Sequence, residues 1–180
     1  MKNQIKWILL HHSGGVIGNP LEDTAHHTLE IINNWHRSER YPKSSMGFYA
    51  GYHYIIEKTG RIRQARLLTE EGAHCKGFNN QSVGICMTGN FDRPSSWVNS
   101  YPTQAQIKSL KTLLDEITDK YNINVNRIVP HRKFAFKTCY GRNLGDDWGK
   151  GLFSEVIKMK ISLIERVIVL LIKLKSMITR

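Results

Sequence analysis

Two short apolar runs in the first half of the chain predict β-strands. Residues 5–12 read Ile-Lys-Trp-Ile-Leu-Leu-His-His and are followed by Ser13-Gly-Gly15. A run of this length that stops at glycines is typical of a strand buried on both faces. Residues 82–88, which contain Val-Gly-Ile-Cys-Met, predict another apolar strand.

A third stretch is rich in aromatic and β-branched residues and predicts a hairpin. Residues 49–57 read as a strand, and the turn Lys-Thr-Gly leads from them into residues 61–66. Side chains alternate across a strand, so Tyr52 and Tyr54 are predicted on one face of the sheet and His53 on the other.

Helical spacing of apolar residues predicts two helices within the domain. The first begins at Asp23 or Thr24 and runs to about His36. Its core-facing stripe is Leu29, Ile32 and Trp35. The second begins at Thr103, with Gln106 at the reciprocal position of a capping box. Its apolar stripe, which we assign to the core, is Ile107, Leu110, Leu113, Leu114 and Ile117.

The tail, residues 152–180, differs in pattern from the rest of the chain. Its apolar residues at helical spacing are Ile157, Ile161, Ile164, Ile168, Leu171 and Ile178. It carries six Lys or Arg against two Glu, and its longest apolar run, residues 167–172, is far short of the roughly 20 residues that span a bilayer. A basic amphipathic helix of this kind fits an interfacial membrane helix. A terminal helix packed on the domain or on a second subunit is the alternative.

The composition is that of an ordinary globular chain except for its charge. The 180 residues suit one domain, with 41% hydrophobic and 23% charged residues. The net charge of +11 favours polyanions such as nucleic acid, anionic lipid or acidic wall polymers, although it also serves solubility alone. No nucleic-acid motif is present. Three cysteines cannot all pair, and the first residues lack the apolar region of a signal peptide, so we expect a cytoplasmic chain.

The candidate chemistry is concentrated in residues 128–142. Within that stretch His131, Lys137 and Cys139 fall inside nine residues. His and Cys are zinc ligands, but no further Cys pair stands near enough to complete a structural finger. Three protein ligands with one open position is the pattern of catalytic zinc, and His11 is the best donor of the third ligand. A single His after an apolar run is, however, more often a polar residue at a strand end.

The order of motifs along the chain resembles one enzyme family. The motifs are Leu10-His-His-Ser13, Gly51-Tyr-His-Tyr-Ile-Ile-Glu-Lys-Thr-Gly60, the stretch from Gly72-Ala-His-Cys to Thr88-Gly89, Thr103-Gln-Ala-Gln106, and His131 with Lys137-Thr-Cys139. This set is similar to the zinc-dependent N-acetylmuramoyl-L-alanine amidases of the T7 lysozyme type, which are related to peptidoglycan-recognition proteins. The resemblance covers roughly residues 5–148.

The resemblance implies a fold, a cofactor and a set of roles. The fold is α/β, a single domain (residues 1–150) with a central mixed β-sheet flanked by helices, followed by a C-terminal helical extension (residues 151–180). The metal ligands of one Zn²⁺ per chain would be His11, His131 and Cys139. Tyr52 and Lys137 would be catalytic, and His74 would contact substrate. The bond cleaved would join N-acetylmuramic acid to L-alanine in peptidoglycan.

Several residues depart from the family pattern or fall outside it. The family usually has Pro after the ligand Cys, and Tyr140 stands there, so we expect a looser loop. A loop His bonded to its own backbone is the alternative for His74. The histidines outside the motifs, which we interpret as helical surface, are His26, His27 and His36. Cys86 is interpreted as a buried, inert thiol.

Three functions are compatible with these features. The leading one is a zinc amidase that cleaves peptidoglycan, a phage or prophage endolysin that is held in the cytoplasm and acts on the wall after release. The second is a non-catalytic peptidoglycan-binding module, which the intact set of His11, His131 and Cys139 argues against. The third is an interaction protein that binds a polymerase or a polyanion. The sequence does not determine the oligomeric state.

Overall fold

The computed structural model describes residues 4–16 and 18–178. The ends of the predicted segments 1–150 and 151–180 therefore lie outside the described residues. For Glu155, Val156 and residues 176–178 only the helical backbone is described. The strands are β1 (Trp7–His12), β2 (Tyr54–Ile56), β3 (Ile62–Gln64), β4 (Ser82–Met87) and β5 (Ile128–Pro130), and the helices are α1 (Leu29–Ser38), α2 (Gln104–Tyr121) and α3 (Trp148–Ile178).

The five strands form one mixed sheet in the order β3-β2-β4-β1-β5. Strand β1 pairs in parallel with β4 and β5, and β2 pairs in parallel with β4 and antiparallel with β3. The predicted α/β class with a mixed sheet is confirmed. The central position of β1 explains its continuous apolar run, because both edges and both faces are covered.

Helices cover the two faces of the sheet. On one face α2 packs on a core built from alternate sheet residues such as Leu10, Ile85 and Ile56. On the other face α1 contributes a smaller cluster. The predicted capping box of α2 is present, with Thr103 and Gln106 bonded reciprocally. The Gln106 amide also donates to the carbonyl oxygens of Ile56 and Thr88, so it ties the helix start to two strand ends.

Helix α1 begins later than predicted, at Leu29. The predicted cap Thr24 instead donates its hydroxyl to the Gly14 carbonyl, and its own carbonyl accepts the His27 N–H in a turn. Such local bonds compete with helix formation. The predicted core-facing stripe of α1 was also partly wrong, because Trp35 is 38% exposed whereas His36 is 3% exposed and faces inward.

The hairpin of β2 and β3 is confirmed, but the predicted faces of its tyrosines were wrong. Tyr54 packs against the core beneath α2, whereas Tyr52 packs against the cluster beneath α1. Strand β2 starts only at Tyr54, and residues 51–53 form a bend in which side chains do not alternate as in a strand. His53 lies in this bend and accepts the Gly84 N–H.

Helix α3 leaves the domain after its first turns. Leu152 and Phe153 are buried in the main core, whereas residues 157–175 are almost all exposed. At 1.5 Å per residue its 31 residues extend for about 46 Å. Among the described residues, no helix combines the length and the apolar character needed to cross a membrane.

Candidate metal centre

Three predicted ligands converge at one edge of the sheet. His11 lies near the end of β1, and His131 follows β5 directly. Because β1 and β5 are adjacent parallel strands, their carboxyl ends meet at the same edge. A loop from His131 then returns Cys139 to this edge. The candidate ligand atoms of the three side chains all lie within 4.8 Å of one another.

The donor atoms fit a tetrahedral zinc ion. Cys139 Sγ lies 3.6 Å from His11 Nδ1. Bonds of about 2.3 Å to sulfur and about 2.05 Å to nitrogen, at the tetrahedral angle, place the two donors about 3.6 Å apart. The rings of His11 and His131 have centroids 4.5 Å apart. Two imidazoles and a thiolate are the donor set that zinc favours.

The ionisation behaviour of the three side chains reflects burial. Burial and the neighbouring His74 lower the pKa of His11 well below its usual range. Burial, with a smaller contribution from Lys137, lowers the pKa of His131 to about 4. Both imidazoles are therefore neutral, the form that binds a metal. Burial raises the pKa of the Cys139 thiol to about 12, so the thiolate needs a nearby cation to persist.

His74 lies on the opposite side of His11 from Cys139. Its Nδ1 is 3.0 Å from His11 Nε2, so the two nitrogens of His11 face Cys139 and His74 respectively. A neighbour on the second ring nitrogen is what orients many metal-binding histidines. Gly84 leaves room for this ring, because a Cβ there would lie 2.6 Å from His74.

A cleft of about 530 Å³ lies at the convergent donors. The two predicted catalytic residues, Tyr52 and Lys137, line it. The ring centroids of Tyr52 and His11 are 5.0 Å apart. Burial raises the pKa of Tyr52 well above its usual value, so its phenol stays protonated and can donate a hydrogen bond. His74, His131 and Cys139 also line this cleft.

Sequence reasoning missed the residues that fix the loop carrying Cys139. Asp92 accepts the Thr138 hydroxyl and, at 2.8 Å, the Arg142 N–H. The Arg132 guanidinium donates to the carbonyl oxygens of Thr138, Gly141 and Leu144. These residues are spread along the chain, and no local pattern connects Asp92 to residues 138–142. The only signal is Arg132, which directly follows a predicted ligand.

The loop after Cys139 is tightly held rather than loose. Tyr140 is fully buried, and its hydroxyl donates to the Gly145 carbonyl at 2.7 Å. The Cys139–Tyr140 peptide bond is cis. Tyr140 therefore serves as a core residue in the position where the family usually has Pro. The expected loosening was wrong because the phenol ring supplies packing that the sequence pattern does not reveal.

His36 and Trp35 on α1, together with Tyr41, also line the cleft. His36 Nδ1 accepts the Gly51 N–H at 2.9 Å, and its ring stacks on Tyr41 with centroids 4.2 Å apart. The prediction of His36 as helical surface was wrong, and so was that of His27, which is also buried, whereas His26 is exposed.

Known proteins resemble this chain in sequence and in fold. The family model described as N-acetylmuramoyl-L-alanine amidase matches residues 1–142. The endolysins of Enterobacteria phage T3 and Escherichia phage T7 are each 32% identical over 119 residues, which cover 66% of this chain and 73% of theirs. The structure of the N-acetylmuramoyl-L-alanine amidase LysC from Clostridium intestinale URNW matches with a TM-score of 0.64 and 25% identity, over 89% of this chain and 87% of that one. Wild-type Drosophila PGRP-LB shares the fold, with a TM-score of 0.56 and 22% identity over 87% and 81% of the two chains.

The fold and the cleft thus define a hydrolase of the amidase type. The chain belongs to the N-acetylmuramoyl-L-alanine amidase family, and the relatives that it matches at 31–32% identity include phage endolysins.

Proposed function

We propose that this endolysin-type amidase is zinc-dependent and hydrolyses the bond between N-acetylmuramic acid and L-alanine in peptidoglycan. The observation that carries the proposal is the convergence of the His11, His131 and Cys139 donor atoms beneath an open cleft. One Zn²⁺ per chain would be held by these three side chains. The fourth position would face the cleft, as in catalytic zinc sites.

Each residue around the centre has a proposed part. Zinc, when bound, supplies an acidified water and polarises the scissile carbonyl. The phenol of Tyr52 donates a hydrogen bond at the metal centre. Lys137 places a positive charge where the oxyanion develops, an effect worth about 3 kcal/mol for a single donor. We assign His74 to orienting His11, with substrate contact as its further predicted role, because its Nδ1 faces His11 Nε2 and its side chain also borders the cleft.

The test is zinc content together with the release of new L-alanine amino termini from purified peptidoglycan. We expect one zinc in this centre and cleavage for the wild type, and loss of both for Cys139→Ala. Cys75→Ala is the matched control, since Cys75 is a buried cysteine outside the donor set, and it should keep both. A chain that binds zinc but never cleaves would support the peptidoglycan-binding reading instead. A chain that takes up no zinc would refute the metal centre.

A second proposal concerns α3, because its apolar side chains beyond Phe153 are exposed, and the helix is tied to α2 there by ion pairs of Lys160 with Asp115 and Asp119. The exposed apolar side chains of α3 are Ile157, Met159, Ile161, Leu163, Ile164, Val167, Ile168, Val169, Leu170, Leu171, Ile172 and Leu174. We propose that residues 1–150 form the catalytic domain and that the extension, residues 151–180, contacts an anionic membrane surface. The chain would fold in the cytoplasm and reach that surface and the wall after release.

The width of the apolar face favours lipid over a second copy of the chain. At about 100° per residue, all of these side chains except Val169 fall within an arc of about 220°. Lys158, Arg166 and Lys173 lie in the remaining sector together with Glu165, so the polar side is net basic, while Lys160 and Lys175 fall within the apolar arc. A two-stranded coiled coil would bury only a narrow stripe and would leave Leu163 and Leu170 in water. A wide apolar face with a basic rim suits an interfacial helix.

The test of the α3 proposal is co-sedimentation with phosphatidylglycerol vesicles and with neutral phosphatidylcholine vesicles. The variant should lack residues 157–180 and keep Leu152 and Phe153, which are buried in the core. We expect the full chain to bind anionic vesicles in a salt-sensitive manner and the truncated chain to remain folded and unbound. Concentration-dependent dimers that do not bind vesicles would refute the membrane proposal in favour of a second copy.

A further inference from the structure

A second group of potential metal ligands lies away from the amidase centre. Glu22, His26 and His27 stand just before α1, and their candidate ligand atoms all lie within 4.8 Å of one another. The two imidazole rings meet edge to face, with centroids 4.9 Å apart. None of the three side chains belongs to the set that surrounds His11. Their proximity therefore has no explanation in the amidase chemistry.

His27 has a buried nitrogen without a partner. The side chain is 8% exposed, and among residues 4–16 and 18–178 its Nδ1 finds no hydrogen-bond partner. Buried polar atoms are nearly always satisfied, so an exception needs a reason. The His27 ring therefore lacks a partner for Nδ1 within the described residues. A bound cation is one partner that could fill this role, because a neutral imidazole binds metal ions readily.

The other two side chains leave the cluster open to solvent. His26 is exposed and Glu22 is partly exposed. A cation could therefore enter from water and keep water molecules as its remaining ligands. The Glu22 carboxylate also supplies negative charge beside the two imidazole rings, which reduces the cost of bringing a divalent cation to the site.

The backbone around the cluster is fixed by bonds that do not depend on a metal. Thr24 donates its hydroxyl to the Gly14 carbonyl at 2.7 Å. The Asn90 amide donates to the Glu22 carbonyl at 2.9 Å. Asp23 accepts the Ala25 N–H at 3.0 Å. Since these contacts hold the segment in place, little conformational entropy remains to be lost when a ligand binds.

We propose that Glu22, His26 and His27 form a second site for a divalent transition metal of the zinc type. Two imidazoles and one carboxylate suit Zn²⁺, Co²⁺, Ni²⁺ or Cu²⁺, whereas Mg²⁺ and Ca²⁺ prefer oxygen donors alone. The site lacks a thiolate and is partly exposed, so it binds more weakly than the amidase centre. Its ion would connect Glu22 to the residue pair that precedes α1, the helix that carries His36 to the cleft.

The experiment is equilibrium dialysis of the full-length chain against Zn²⁺, with bound metal measured by elemental analysis. We expect two zinc ions per wild-type chain, one for Cys139→Ala, one for His26→Ala, and none for the double variant. Glu22→Gln should weaken the second site on the order of tenfold or more, while Glu39→Gln, an exposed carboxylate at the other end of α1, should leave it unchanged.

Cobalt substitution separates this proposal from the amidase proposal. A thiolate-to-cobalt charge-transfer band can come only from a site that contains Cys139, so it should persist in His26→Ala and vanish in Cys139→Ala. The cobalt ion at the second site has no thiolate ligand and gives no such band, and we expect it to be absent from His26→Ala. A single metal per wild-type chain that gives the thiolate band, or two metals retained in His26→Ala, would overturn the second site. Loss of the charge-transfer band in the wild type would instead contradict the amidase centre alone.

Discussion

His36 makes the stability of the domain depend on pH in a way that can be calculated. It is buried on α1, where its Nδ1 accepts the Gly51 N–H and its ring stacks on Tyr41. Burial, reinforced by the positive charge of Arg66, lowers its pKa from 6.5 to about 4. The Tyr52 ring also lies beside His36, and because burial raises the pKa of Tyr52 its phenol is neutral in this range. The folded protein therefore resists protonation of His36.

The sign and the size of this pH effect on the free energy of unfolding follow from the linkage between protonation and folding. Between pH 6.5 and pH 4 the unfolded chain binds a proton at position 36 that the folded chain does not, so the free energy of unfolding falls as the pH falls. With these two pKa values the loss is about 2 kcal/mol at pH 5 and about 3 kcal/mol at pH 4. Above pH 7 the contribution is nearly constant.

The assay is urea unfolding of the wild type and His36→Asn at pH 7 and pH 5, in the presence of a chelator so that metal binding adds no pH dependence. The Asn carbonyl oxygen stands where Nδ1 stood and still accepts the Gly51 N–H, but it does not titrate. Lost packing on Tyr41 lowers the stability of the variant equally at both pH values. We expect the wild type to lose about 2 kcal/mol more than the variant between pH 7 and pH 5. Equal losses would show that His36 titrates alike in both states and would refute the argument.

Further predictions concern the buried side-chain amide of Gln106 and the lack of a side chain at Gly84. Gln106→Ala removes the capping box and two buried hydrogen bonds, so the free energy of unfolding, measured in urea, should fall by about 2–4 kcal/mol. The control is Gln104→Ala at an exposed position of the same helix, which should change the free energy of unfolding by less than about 0.5 kcal/mol. No difference between these two variants would contradict the bonding of Gln106. Gly84→Ala brings a methyl group against His74 and should displace it from His11, lowering zinc affinity on the order of tenfold or more in chelator competition. Gly151→Ala, where a methyl group meets open space, should keep the wild-type affinity.

The parts of the fold that the sequence predicted well are those where local pattern and tertiary environment agree. Strand β1 is apolar from Trp7 to Leu10 because it is covered on every side. The start of α2 is encoded locally by Thr103 and Gln106, whose bonds lie within one turn. The residues themselves made His11 the best candidate for a third ligand beside His131 and Cys139, but that pairing was weak until the order of motifs supported it.

The errors arose where distant contacts override local pattern. Thr24 has the chemistry of a helix cap, but the Gly14 carbonyl takes its hydroxyl. Trp35 fits the apolar stripe of α1, but His36 is turned inward by the Gly51 N–H. Tyr52 falls in a bend that periodicity treats as strand. The bonds of Thr24 and His36 reach 10 and 15 positions along the chain, beyond the helical and strand periods from which the prediction was made.

The central position of β1 has a consequence for how the protein reaches its active state. Leu10 pairs with Ile85 on one side and with Pro130 on the other, so the first strand to be synthesised is flanked by strands that are made much later. Contacts of such long sequence separation slow folding. On the ribosome, His11 must wait until Cys139 has emerged before the three proposed ligands can meet. The rate of zinc uptake at the proposed centre of a refolding chain should therefore report completion of the sheet.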